Sequence, residues 1–210
     1  MREERDLYNE KLELTNKTYF KGDKIPIGYF PMVVMIAIQN SNGEFLMQKR
    51  VESKGGDWGV TGGHPKHGET PGQGIVTEVK EELGIDIKGK EIIEFARGCD
   101  GKDCYIMYYT KLDLDIDKLT IQLDELSEVR WFSIEKLQQM VDTGELNKDQ
   151  VEFFNKCVKL ELKWLKCLYI SELFANFAVS INDKGKSKIL KYILQRYYNF
   201  FVKNYINQLK

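Results

Sequence analysis

The chain has 210 residues, and its 31 basic and 32 acidic residues leave a formal net charge of −1. That length suits one domain with a sizeable extension, or one domain plus a small second one. With the signs mixed and no basic excess, no nucleic acid or anionic membrane partner is expected. No run of about 18 uncharged apolar residues occurs, so no membrane span is expected either.

The opening "MREERDLYNE" is charged and lacks an apolar h-region, so no secretion signal is expected. The first thirty residues read as polar and mixed, with turn signals at "KGDKIPIG". "PMVVMIAIQN" is β-branched and apolar, which predicts a buried strand. "SNGE" supplies a hairpin turn, and "FLMQKR" alternates like a second strand. A glycine-rich loop follows, with a short strand at "WGVT". In "TPGQGIVTEVKEELG" Thr70 suits an N-cap, Pro71 the first helical position and Gly84 the left-handed residue after a helix end. "EIIEFARG", "DCYIMYYTKLDL" and "ELSEVRWF" read as strands, and Ser133 as the cap of a helix "IEKLQQMVDTG". From about Lys148 onward the pattern is helical, broken at "NDKGKS". The sum predicts a mixed sheet covered by helices, with a helical C-terminal part.

The four cysteines, Cys99, Cys104, Cys157 and Cys167, show no C-x-x-C spacing, and the chain has two histidines. A Cys/His zinc site is therefore not expected, and the cysteines read as reduced thiols of a cytoplasmic protein.

On the central helix Glu78, Glu81 and Glu82 fall at i, i+3 and i+4, sharing one face. Ile75, Val79 and Leu83 form a neighbouring apolar stripe at i, i+4 and i+8. Taken alone, "EVKEE" is a solvated helix face, as most such runs are. The preceding "GGHPKHGE" changes that reading, because its glycines permit sharp turns and close backbone approach. Hard oxygen ligands of this kind suit Mg²⁺ or Mn²⁺ rather than zinc. Mg²⁺ is usually held by a few carboxylates plus substrate phosphates, so a phosphate-bearing substrate is implied.

Gly63, Glu69 and then "TEVKEELGI" resemble the Nudix box, G-x5-E-x7-R-E-U-x-E-E-x-G-U, where U is bulky and aliphatic. Gly63, Glu69, Glu78, Val79, Glu81, Glu82, Gly84 and Ile85 match at the right spacing. "FLMQKR", "WGVTGGH" and "ELSEVRWFSIEKL" resemble that family's flanking strands and late helix, so the resemblance spans roughly residues 30–145. It implies an α+β fold, a Nudix-like α/β/α sandwich with a mixed β-sheet between helices. Residues 1–150 would be the hydrolase domain with its N-terminal segment, and residues 151–210 a helical extension.

The resemblance further implies a metal-dependent pyrophosphohydrolase. Its reaction is cleavage of a phosphoanhydride bond in a nucleoside diphosphate linked to another group, of ADP-ribose or nucleotide-sugar type. By match to the motif, Glu78, Glu81, Glu82 and Gly63 would hold Mg²⁺ or Mn²⁺. Glu78 and Glu125, in "LDELSEVRW", are the two candidates for the base. One position departs: the family carries Arg where this chain has Thr77. An Arg there would lie one turn from Glu81, whereas Thr is short and uncharged, so looser positioning of a metal ligand is expected, with Lys80 or Lys66 as candidate substitutes. Two alternatives follow from the same residues. One is a catalytically weak nucleotide-sensing module, which rests on Thr77. The other is an isomerase resembling those of isopentenyl diphosphate, which carry Cys-Gly-His-Pro where this chain reads "GGHP". That chemistry needs a cysteine where Gly62 stands, or Cys104 in its place.

His64 and His67 read as surface residues of the loop, Phe30 and Tyr105 as core, and Trp58 as core or a base-stacking ring. Lys49 and Arg50 end a strand that leads toward the site. In the tail, stripes such as Ile189, Ile193, Tyr197 and Phe200 expose more apolar surface than one face needs. They offer a contact with the domain, with each other, or with a second copy as a homodimer.

Overall fold

The computed structural model describes residues 2–146 together with Lys156. The chain divides into two compact units, Met1–Phe154 and Asn155–Lys210. The helical extension, the homodimer contact and the tail's apolar stripes expected above lie outside the described residues.

Strand β3 (Phe30–Gln39) organises the sheet. Its run of Met, Val, Ile and Ala is apolar on both faces, which suits a strand covered on both sides. One edge pairs in parallel with β8 (Cys104–Lys111) from Met32↔Cys104 to Gln39↔Lys111. The other edge is shared along its length. It takes β1 (Glu4–Tyr8) at Phe30 and Pro31, β6 (Thr61–Gly63) at Val34 to Ile36, and β4 (Phe45–Arg50) at Gln39. β4 continues the sheet through β5 (Trp58–Gly59) and β9 (Leu126–Phe132), while β7 (Ile93–Cys99) pairs with the outer edge of β8. The hairpin partner of β1 is β2 (Leu14–Phe20).

Helix α1 (Pro71–Leu83) forms where its punctuation predicts. The Gln73 N–H donates to Thr70 Oγ1 at 3.3 Å, and the Thr70 N–H donates to Gln73 Oε1 at 2.9 Å, a reciprocal capping box. Gly84 ends the helix at φ 72°. Ile75, Val79 and Leu83 are fully buried in the cluster that includes Val34, Ile36, Leu46, Ile106 and Leu126. Each such burial stabilises by roughly 1.5–3 kcal/mol, so the apolar stripe fixes which helix face points away from the core. Helix α2 (Ile134–Thr143) is capped by Ser133 and buries Leu137 and Met140. Among the described residues the result is a curled mixed sheet with two α-helices, the α+β sandwich expected. Among the described residues no helix is long and apolar enough to cross a membrane.

Three elements differ from expectation. The N-terminal thirty residues, read as polar and mixed, contain the β1–β2 hairpin. Its turn is held by Asn9, whose Oδ1 accepts from the Lys11 and Glu13 N–H groups at 2.9 and 3.0 Å. Only Leu7, Tyr8 and Tyr19 of the apolar hairpin residues are buried, too few for a local hydrophobic signal. "WGVT" becomes two short strands, each pairing with a different neighbour. The reading of all cysteines as reduced thiols does not hold for Cys99 and Cys104, which form a disulfide. They face each other in the β7–β8 register, a closeness that chain spacing does not reveal. Cys157 and Cys167 lie outside the described residues.

Candidate active site

Strand β6, the loop after it and α1 place two glycines against two glutamates. A Cβ on Gly62 would lie 2.3 Å from the Val34 carbonyl oxygen and 3.0 Å from Met35 Cα, both backbone atoms of β3. No side chain fits at 62 unless β3 moves. That geometry excludes the isomerase reading's cysteine at 62, and its stand-in, Cys104, is joined to Cys99. A Cβ on Gly63 would meet Glu78 Oε1 at 2.3 Å, so the Glu78 carboxylate reaches across to the β6 backbone. These two contacts predict different outcomes. Gly62→Ala is expected to lower thermal stability, by roughly 1–3 kcal/mol or more. Gly63→Ala meets only the mobile end of a side chain. It is expected to keep its melting temperature while losing activity roughly ten- to a hundred-fold through the displaced carboxylate.

Glu78 has neither a hydrogen bond nor an ion pair among the described residues. Burial, and then the charges of Glu82 and Glu81, raise its carboxyl from 4.5 to about 7. Glu82 is also pushed up to about 7, chiefly by burial, against the lowering effect of hydrogen bonds from Gln48 and the Gly62 backbone. Gln48 Nε2 donates to Glu82 Oε2 at 2.7 Å, and Thr61 Oγ1 donates to Gln48 Oε1 at 2.8 Å. The Thr61 bond fixes which end of the amide faces Glu82. Sequence reading missed Gln48 and Thr61. The signal for Gln48 was a polar residue following the apolar run Phe45–Met47 in "FLMQKR"; Thr61, in the next glycine-rich stretch, carried none.

Both shifts raise a carboxyl above its unfolded value. Between about pH 4.5 and 7 the folded chain therefore holds protons that the unfolded chain releases, and stability falls as pH rises through that window. In chelator-treated protein, melting temperature is expected to decline from pH 5 to pH 8. The double variant Glu78→Gln, Glu82→Gln should lose most of that slope, and an unchanged slope would place its source elsewhere.

Glu81 turns outward and forms an ion pair with Lys66. Glu69 is held at both oxygens: Thr77 Oγ1 donates to Oε1 at 2.7 Å and the Lys66 N–H donates to Oε2 at 2.9 Å. Thr77 thus has a carboxylate partner despite its short reach, though Glu69 rather than Glu81. Of the two candidate substitutes for the missing Arg, it is Lys66 that meets Glu81. The loop is tied to β1, since Asp6 accepts from the Gly68 N–H at 2.9 Å and contacts His67 Nδ1 at 2.7 Å. That contact raises the His67 imidazole. His67 is exposed as expected, but His64 is half-buried beside Arg5 and Lys21. Burial first, and then those cations, push His64 down to about 4, so it is neutral at pH 7.

Glu125 forms an ion pair with Lys54, and its charge helps raise Glu82, whereas that of Arg50 lowers it. Both therefore lie within electrostatic reach of Glu82. Lys49 lies 4.0 Å from Glu52, Trp58 packs edge-on against Phe132, and Phe30 packs on the core.

Among the described residues no three His, Cys, Asp or Glu side chains converge into a closed metal cluster. What is present is an open set: Glu78 and Glu82 side by side, Gly63 against Glu78, and Glu81 one turn away. A half-buried carboxylate that has no partner among the described residues, next to a second one, fits a hard divalent cation that keeps several waters and shares substrate phosphates.

The NUDIX domain profile matches residues 29–156. An uncharacterized Nudix hydrolase of Listeria innocua is 36% identical over 152 residues, covering 68% of this chain and 87% of that protein. An NAD-capped RNA hydrolase of Vibrio atlanticus is 28% identical over 59% of this chain and 44% of its own length. A Deinococcus radiodurans protein of known crystal structure shares the fold at a TM-score of 0.64 and 23% identity, covering 74% of this chain and 99% of that one. With its motif residues in place on the expected strand–loop–helix, this chain belongs to the Nudix hydrolase family and is an enzyme of the pyrophosphohydrolase type.

Proposed function

We propose that this enzyme cleaves the phosphoanhydride bond of a nucleoside diphosphate linked to another group, with Mg²⁺ or Mn²⁺ held by Glu78, Glu81, Glu82 and the Gly63 backbone. The observation that carries this reading is the Glu78–Glu82 pair: two half-buried carboxyls that titrate near neutrality, one of them unpartnered. When bound, a divalent ion would neutralise the diphosphate and acidify the attacking water. The protein supplies the rest. Glu78, whose carboxylate lies against the Gly63 backbone, is the proposed base that takes the proton of the water whose oxygen attacks phosphorus. The bridging P–O bond then breaks, and its electrons leave on the departing phosphate oxygen. Glu125, the other candidate base, is engaged by Lys54. Gln48 and Thr61 hold Glu82 in one orientation, and Arg50 offers a cation on the same rim.

The name of the Vibrio atlanticus relative supports this substrate class, since NAD is itself a nucleoside diphosphate joined to a second group. A small-molecule substrate belongs to the same proposal, and the chain's near-neutral charge of −1 supports it.

The test incubates the purified chain with Mg²⁺ or Mn²⁺ and a panel of ADP-ribose, nucleotide sugars and dinucleotides. Phosphate is read after a coupled phosphatase. Turnover that disappears in Glu82→Gln supports the proposal. Metal-dependent nucleotide binding without turnover on any of these compounds would replace it with the sensing module.

A further inference from the structure

The turn between β6 and α1 carries Lys66, and its tip is His67 and Gly68. Neither tip residue is packed into a core. The His67 side chain is 55% exposed, and a Cβ added to Gly68 would meet nothing within 4 Å. The hydrogen bonds of the tip run to β1 instead. The His67 N–H donates to the Glu4 carbonyl at 2.8 Å, the Gly68 N–H donates to Asp6 Oδ2 at 2.9 Å, and His67 Nδ1 meets Asp6 Oδ1 at 2.7 Å.

Asp6 is 9% exposed. Burying a carboxylate is costly unless hydrogen bonds compensate it, so its partners show what the residue is for. They lie in the loop rather than in its own hairpin. Thr18 stands opposite Asp6 in the β1–β2 register, but its hydroxyl donates to Glu4 Oε1 at 2.7 Å. Both oxygens of Asp6 are given to the turn.

What the turn carries is the cation that meets Glu81. Thr77, one helical turn before Glu81 on α1, donates to Glu69 instead. Glu81 pairs with Lys66, which belongs to the loop and not to its own helix. A cation on α1 would be placed by the helix itself. A cation on an exposed turn is placed only as well as the turn is held. The turn closes on itself, the Glu69 N–H donating to the Lys66 carbonyl at 3.0 Å and the Lys66 N–H to Glu69 Oε2 at 2.9 Å. Fixing its tip therefore fixes Lys66 as well.

We propose that Asp6 is a positioning residue: its carboxylate clamps the turn at His67 and Gly68 and so places Lys66 against Glu81. Asp6 lies outside residues 29–156, the span that the NUDIX profile matches, so a hairpin beyond that span orders the carboxylate face. The consequence for metal binding rests on the reading of Glu81 as a ligand.

The experiment follows Mn²⁺ binding by electron paramagnetic resonance in Asp6→Ala, Lys66→Met and the double variant. Asp6→Ala is expected to weaken binding roughly ten-fold. In the Lys66→Met background it should weaken binding no further, because both changes remove one interaction. Thr77→Arg, which puts a cation on α1, should restore binding to Asp6→Ala. A merely structural carboxylate would give additive losses and no rescue. In chelator, ¹³C relaxation at the Lys66 ε-methylene should show a more mobile side chain in Asp6→Ala. His67→Ala removes one contact at an exposed ring and tests the clamp should Asp6→Ala not fold. It should show the same effects, with binding weakened roughly two- to five-fold. Additive losses overturn the proposal, and so does a Lys66 side chain no more mobile in either variant than in the wild type. Unchanged Mn²⁺ binding in Asp6→Ala, where Glu82→Gln loses it, overturns it too. The relaxation measurement needs no metal. If Glu82→Gln binds Mn²⁺ as the wild type does, the metal reading falls, while a Lys66 freed by Asp6→Ala still upholds the clamp.

Discussion

Replacing Glu82 with Gln is expected to lower turnover by at least about a hundred-fold and, in the same protein, to raise metal-free stability at pH 8. The first effect follows from its place in the proposed ligand set, where even outer partners of a ligand are worth about ten- to a hundred-fold. The second follows from burial. Holding Glu82 ionised at pH 8, when its carboxyl titrates at about 7 rather than 4.5, costs up to about 3 kcal/mol. Gln keeps the shape and can still accept from Gln48, while the charge is gone. A gain of several degrees in melting temperature is expected for a chain of this size. The two readouts together separate function from folding. Loss of activity with a lower melting temperature would indicate a structural role for the carboxylate and remove it from the proposed set.

Lys66→Met should weaken Mn²⁺ binding and lower kcat/KM by roughly ten- to a hundred-fold, because Glu81 loses the ammonium that holds it. Stability should change little, since an exposed ion pair contributes roughly 0–1 kcal/mol. Lys66→Arg should retain function. The stronger test is reciprocal. An Arg at 77 lies one helical turn from Glu81, so Thr77→Arg added to Lys66→Met is expected to recover most of the lost affinity. Mn²⁺ binding followed by electron paramagnetic resonance reads this independently of catalysis. If Lys66→Met binds Mn²⁺ as the wild type does, Glu81 needs no positioning partner, and the ion pair is a solvated surface contact.

Much of this site was legible in the chain because the information is local. Thr70, Pro71 and Gly84 specify both ends of α1 through backbone chemistry that acts within one turn. Helix periodicity then puts Ile75, Val79 and Leu83 on one stripe and Glu78, Glu81 and Glu82 beside it. The β3 run and the "SNGE" turn are equally local. The hairpin at residues 4–20 was not legible, because an edge ribbon with few buried apolar residues carries little pattern of its own. It is held by distant partners: Asp6 by the loop at His67 and Gly68, and Tyr8 by pairing with Phe30.

The sequence by itself determined the family, the helix that bears the carboxylates, and the residue types that meet a phosphate-bearing substrate. Only the tertiary structure decided how those carboxylates differ. Glu78 and Glu82 lie against β6 and titrate near neutrality, while Glu81 faces outward to Lys66. It also decided that Gly62 admits no side chain, that Gln48 and Thr61 orient Glu82, and that Cys99 meets Cys104. The physical reason is the same in each case. Burial, pKa and steric contact depend on which strands pack alongside, and that is set by pairings tens of residues apart rather than by neighbours in the chain.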